Sequence, residues 1–254
     1  MKISALLIDL DGTIYSKGEV FPQAKIALEK ISSLKIPYKF ITNTTTKTQK
    51  KLLKSLKELG IGANSETLFT APKAALNFCK SQNLRNVKLV LQDDSLEEDF
   101  QELSLVSKNP EAVILGDLGN KFSLETLNPI FQDLMNGAKL IALHKNRFWE
   151  SKDSLTMDLG CFVSALEFAS NTKAVVCGKP SKDFFELAIS DWDLPKEEIA
   201  IIGDDIETDV FGGQNTGLKG ILVKTGKFNQ NFVNRSGVKP DLILQNFGEI
   251  LNYF

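Results

Sequence analysis

Two sets of acids in this chain stand where short apolar runs stop. The segment LLIDLDGTIY (residues 6–15) sets Asp9 and Asp11 two positions apart, with Gly12 and Thr13 directly behind them. Carboxylates at that spacing on a strand end can face the same side. Glycine lets the backbone turn sharply and approach a bound group closely, which makes Gly12 a candidate phosphate contact. A bare D-x-D-G can also do no more than cap a turn, but the apolar run before Asp9 and the Thr13 behind it argue for chemistry. The segment IIGDDIETD (201–209) has the same design: apolar residues run into Asp204 and Asp205, with Asp209 one helical turn further. Alone it can serve as a helix cap. Together the two segments can converge on one hard cation, because carboxylates so close repel unless a cation lies between them. Oxygen-only ligation suits Mg2+, which keeps several waters and takes few protein carboxylates.

Two shorter pieces add donors. FITNTT (40–45) ends an apolar run in Thr42 and Asn43, whose hydroxyl, amide and backbone N–H groups can donate to phosphate oxygens. CGKPS (177–181) sets Lys179 at a turn before a helical pattern, where an ammonium can neutralise charge on a phosphate or on a carboxylate nucleophile. Each is common by itself; the order and spacing of all four are specific. Other patterns fail. GILVKTGKF (220–228) resembles a P-loop, but its glycines are wrongly spaced and Phe228 stands where Ser or Thr should hold Mg2+. No G-x-G-x-x-G follows a strand, so a dinucleotide site is unsupported.

The elements that must position these groups alternate. Apolar runs at 3–8, 38–42, 86–92, 199–203, 219–223 and 241–244 read as strands of one sheet. Helical periodicity spans 23–34, 47–59 and about 181–191. The lysines of 47–59 read as a solvated face, with its leucines turned inward. Strands spaced by helices predict an α/β fold, a Rossmann-like parallel sheet covered on both faces. In such sheets ligands bind outside the carboxyl ends of the strands, where all four motifs fall. Residues 93–176 carry their own strand and helix set and read as an inserted smaller α/β domain, leaving 1–92 and 177–254 as the core.

Composition bounds the rest. A 254-residue chain with 43 % hydrophobic residues can build its core without disulfide or structural metal. Thirty Lys plus Arg against 32 Asp plus Glu gives a net charge of −2, which offers no basic face for nucleic acid. No apolar run approaches the roughly 20 residues of a membrane span, and Asp9 and Asp11 interrupt the start too early for a signal peptide. Cys79, Cys161 and Cys177 lack C-x-x-C spacing and read as buried free thiols. The expectation is a cytoplasmic protein with no membrane and no nucleic-acid partner. The single histidine, His144, reads as structural.

The ordered set D-x-D-G-T, strand-end Thr, Lys before a helix and G-D-D-x-x-x-D resembles the haloacid dehalogenase superfamily, over nearly the whole chain. The insertion looks like that superfamily's type-two cap, as in its NagD-like branch. ITNTT, SALEFAS, VVCGKP, IGDDIETDVFGG and LVKTGKF look closest to the haloacid dehalogenase-like hydrolase domain-containing proteins and the phospholysine phosphohistidine inorganic pyrophosphate phosphatases. The resemblance implies a Mg2+-dependent phosphatase acting on a small phosphorylated substrate: an ester, a phosphoramidate or a pyrophosphate. It implies Asp9 as nucleophile, forming an aspartyl phosphate, and Asp11 as general acid, then base. Thr42, helped by Asn43, would hold phosphoryl oxygens, and Lys179 would steady charge. Mg2+ would bind Asp9, the main-chain carbonyl of Asp11 and Asp204. Asp209 would act through water or by orienting Lys179, and Asp205 is left without a role. Dehalogenases of the superfamily attack carbon and do not need the second acid, so Asp11 favours phosphorus chemistry. The resemblance also points to Leu159, Gly160 and Cys161 as cap contacts with substrate, and to a homodimer through the cap. The alternatives are a non-catalytic phosphate-binding or regulatory protein on the same fold, and a signalling receiver domain, against which the insertion and the position of Asp9 on the first strand count.

Overall fold

The computed structural model describes residues 2–150 and 155–254, which divide into two compact units. The first comprises residues 1–42, 51–69 and 180–254. Its six-stranded sheet has the order Leu242–Leu244, Lys219–Val223, Ile199–Gly203, Ala5–Asp9, Tyr38–Thr42, Leu68–Thr70. Pairing is parallel from Leu242–Leu244 across to Tyr38–Thr42. Every residue of Ala5–Asp9 and of Ile199–Gly203 is buried, as expected for central strands covered on both faces. Their side chains join Phe40, Ile221 and Val223 in one core with Ala27, Leu28 and Ile31 of the helix Pro22–Ser33 and with Leu52 and Leu56 of the helix Gln49–Glu58. Burying each such leucine or isoleucine contributes about 1.5–3 kcal/mol. Pro22 opens the first of these helices, where its fixed φ fits and no N–H is needed.

The second unit comprises residues 43–50 and 70–179. It has its own five-stranded parallel sheet, ordered Val175–Val176, Lys139–Ala142, Ala112–Leu115, Asn86–Val90, Ser104–Leu105. Val113, Leu115 and Leu140 pack there against Ile130 and Leu134 of the helix Leu124–Met135 and against Val163 and Leu166 of the helix Leu159–Ser170. A capping box between Ser123 and Thr126 starts the former helix, and Asp158 caps the latter.

The α/β architecture agrees with the sequence reading; the division of the chain differs from it. The run at 86–92, expected in the first sheet, pairs with Ala112–Leu115 and Ser104–Leu105 in the second. The strand flanking Tyr38–Thr42 is instead the short Leu68–Thr70. The second unit therefore starts its main segment at residue 70, not 93, and extends to 179. Cys79 and Cys177 are buried and in no disulfide, while Cys161 is only half-buried and donates from Sγ to the Arg147 carbonyl at 3.0 Å. Among the described residues no helix is long and apolar enough to cross a membrane.

Candidate active site

Register brings the acids of the first unit to one edge of its sheet. Ile8 lies beside Ile202 and Asp9 beside Ile41, so Asp9, Thr42 and Asp204 all stand at the carboxyl ends of three neighbouring strands. Asp9, Thr42, Asp204 and Asp209 are all buried. Carboxylate oxygens of Asp9, Asp204 and Asp209 lie within 4.8 Å of one another. Burial, then the charge of Asp9, then that of Asp209, push the Asp204 carboxyl well above the usual carboxylate range; the Lys227 N–H works against that shift. Three buried carboxylates offering oxygen alone fit a hard divalent cation.

The turn after Asp9 is built to orient it. Thr13 Oγ1 donates to Asp9 Oδ2 at 3.1 Å. Ile14 N–H closes back on the Leu10 carbonyl at 2.9 Å and Gly12 N–H on the Tyr15 carbonyl at 2.7 Å. Gly12 has φ +87°, and a Cβ there would stand 2.0 Å from Asp204 Oδ2, so no other residue fits. Asp11 is exposed at the same turn, its carboxylate outside the group of three. The Tyr15 phenol is held protonated by burial first, then by the charges of Asp11 and Asp9, and it hydrogen-bonds Asp11.

Asp205 and Asp209 divide their work. Asp205 Oδ1 accepts from Glu207 N at 2.9 Å and Thr208 N at 3.0 Å, capping the helical turn Ile206–Phe211. That turn carries Asp209 back to the sheet, where its Oδ2 accepts from Asp205 N at 3.1 Å. Asp209, read from sequence as a supporting residue, thus stands in the carboxylate group itself, and Asp205 is the cap.

Asn43 and Lys179 meet within the second unit. Asn43 Nδ2 donates to the Lys179 carbonyl at 2.9 Å, and Asn43 Oδ1 accepts from Lys179 N–H at 2.8 Å. Asn43, expected to donate to phosphate, therefore uses its side chain on the Lys179 backbone. Lys179 itself is buried. Of the expected cap contacts, Leu159 and Gly160 are buried in the first turn of their helix, Leu159 within the second unit's core. His144 is buried in the same unit, its Nδ1 accepting from Asn146 N at 3.4 Å.

Sequence reasoning missed Thr13 as the partner of Asp9 and the loop at 225–227, where Lys227 N–H donates to Asp204 Oδ2 at 2.6 Å. Thr13 stands in the first motif; the loop enters the sequence reading as a failed P-loop and as the LVKTGKF segment of the family resemblance, neither of which points to Asp204.

Comparison with known proteins extends over the whole chain. A family model described as haloacid dehalogenase-like hydrolase matches residues 6–105, and one described as HAD-hydrolase-like matches residues 176–250. Haloacid dehalogenase-like hydrolase domain-containing protein 2 of Rattus norvegicus is 38 % identical over 251 residues, spanning 99 % of this chain and 95 % of that one. Phospholysine phosphohistidine inorganic pyrophosphate phosphatase of Homo sapiens is 30 % identical, spanning 98 % and 93 %. The structure of p-nitrophenyl phosphatase from Archaeoglobus fulgidus superposes with a TM-score of 0.91 over all of both chains at 23 % identity, which speaks for the fold alone.

Proposed function

The chain belongs to the haloacid dehalogenase-like hydrolase family, and from that membership we propose that it is a Mg2+-dependent phosphatase using Asp9 as nucleophile on a small phosphorylated molecule. The observation that carries the reading is the convergence of Asp9, Asp204 and Asp209 at the strand ends. Asp9, the Asp11 main-chain carbonyl and Asp204 would hold the cation, with Asp209 beside them. When bound, Mg2+ neutralises the carboxylates and draws charge from the phosphoryl oxygens.

The chain's own groups supply the rest. Thr13 fixes the rotation of the Asp9 carboxylate, so that one oxygen can attack phosphorus. As the new O–P bond forms, the bond to the leaving group breaks and Asp11 gives that group its proton. Thr42 and Lys179 hold the phosphoryl oxygens and offset the charge that builds on them. Asp11, now ionised, takes a proton from water. That water attacks the aspartyl phosphate, inorganic phosphate leaves, and Asp9 is restored. Splitting the displacement this way replaces one hard step with two easier ones. The substrate class is a phosphate ester, a phosphoramidate or a pyrophosphate; the name of the human relative, a phospholysine phosphohistidine inorganic pyrophosphate phosphatase, supports the last two.

An aryl phosphate assay with and without Mg2+, repeated with Asp9→Asn, tests the reading. Turnover should require the cation and fall by roughly 10,000-fold or more in the variant. Equal turnover in all conditions would overturn it.

A further inference from the structure

The segment Lys224–Phe228, which has the glycine and lysine of a phosphate-binding loop without its spacing, does a different job. Its N–H at Lys227 is aimed at an anion, but that anion is the protein's own Asp204, at 2.6 Å from Oδ2. Two residues earlier, the Thr225 hydroxyl donates to the Gly12 carbonyl, in the turn that carries Asp9 and Asp11. Between the two bonds sits Gly226, with φ +55°. A Cβ on Gly226 would lie 1.9 Å from Asp204 Oδ2 and 2.5 Å from Gly12 Cα. Gly12 and Gly226 therefore close on the Asp204 carboxylate with bare backbone. The loop is itself anchored: Phe228 N–H returns to the Thr225 carbonyl at 3.0 Å, and Lys224 N–H bonds the Leu244 carbonyl at 2.9 Å in the next strand.

We infer that the loop Thr225–Lys227 is a clamp that positions Asp204 against the Asp9 turn and thereby sets the protein's affinity for its divalent cation. The inference rests on the reading of Asp9 and Asp204 as cation ligands. One hydrogen bond fixes the turn and the other fixes the carboxylate, so the two ligand-bearing strand ends are held in one relation by three consecutive residues. Thr225 and Gly226 are positioning residues, since neither side chain nor Cα offers a ligand to the cation. Partners hydrogen-bonded to a ligand, as the Lys227 N–H is to Asp204, typically change metal affinity by about 10–100-fold when lost, and Thr225 holds that loop from its other end.

Direct titration of Mg2+ into the chelator-stripped full-length protein, followed by calorimetry, tests this without recourse to turnover. Thr225→Val removes the hydroxyl at nearly constant shape and should weaken Mg2+ binding by about 10–100-fold, while Thr225→Ser, which keeps the donor, should stay within about threefold of the native protein. Melting in EDTA checks that both variants fold. Gly226→Ala should abolish measurable binding; should it fail to fold, the Thr225 pair still decides. A folded Thr225→Val protein with native Mg2+ affinity, or one with a lowered melting temperature and native affinity, would overturn the clamp and leave the metal site standing. Absence of Mg2+ binding by the native protein would overturn the metal reading itself, and the clamp with it.

Discussion

Asn43 and Lys179 pair as two backbone segments of a sheet would, with the Asn43 carboxamide donating to the Lys179 carbonyl and accepting from the Lys179 N–H at 2.9 and 2.8 Å. A side-chain amide thus reads the main chain of a distant residue at both of its polar groups. It fixes the peptide from which the Lys179 side chain departs.

Asn43→Ala should therefore act through Lys179. Each polar group left unsatisfied in this part-buried setting costs about 1–3 kcal/mol, and a domain of this size loses roughly 2–4 °C in melting temperature per kcal/mol. We expect a drop of several degrees together with a fall in kcat of about tenfold or more. Melts and steady-state kinetics on the same preparation check this; native kcat in the variant would show that the pair does not serve the reaction.

The raised carboxyl of Asp204 has a defined consequence for stability. A group whose folded-state pKa lies above its unfolded value stabilises the fold at pH below the unfolded value and loses that contribution as pH rises through the folded one. Metal-free protein therefore loses stability as pH rises and Asp204 ionises beside Asp9 and Asp209. Mg2+ should raise the melting temperature more at pH 8 than at pH 5, and Asp204→Asn should raise it in EDTA while removing the response to Mg2+. Paired melts in EDTA and in Mg2+ across that range decide; a Mg2+ shift that does not vary with pH would contradict the sign.

The adjacent acids Asp204 and Asp205 should separate cleanly. Asp205→Ala removes the cap of the turn Ile206–Phe211 and should cost about 1 kcal/mol of stability. The Mg2+ concentration that gives half-maximal activity should stay near its native value, because Asp205 stands outside the group of three carboxylates. A large rise in that concentration would make Asp205 a ligand.

Central strands were legible because continuous apolar runs have no other use: Ile199–Gly203 and Lys219–Val223 were placed to the residue. Leu68–Thr70 was not, since three residues are too short for a period. Asn86–Val90 was found but sent to the wrong sheet, because a strand's own pattern does not name its neighbour. At the site, Asp9 and Asp204 announced themselves by following apolar runs. Their orienting partners did not, for the opposite reason: Thr13 and Lys227 serve through a single hydroxyl and a single peptide N–H, and almost any sequence supplies those. Asn43 was singled out for its donors, yet their target lies far along the chain, and nothing local tells a phosphate donor from a backbone clasp.

Strand Ala5–Asp9 pairs on one side with Tyr38–Thr42 and on the other with Ile199–Gly203. On the ribosome Asp9 and Asp204 are therefore made 195 residues apart. At ~5–20 residues per second, one flank of that buried strand stays open for on the order of ten seconds or longer. The intervening second unit has its own core and can close during this wait. A transcript ending before residue 199 would yield a chain with neither an assembled acid cluster nor a covered first strand, so premature termination should produce aggregate instead of a weak enzyme.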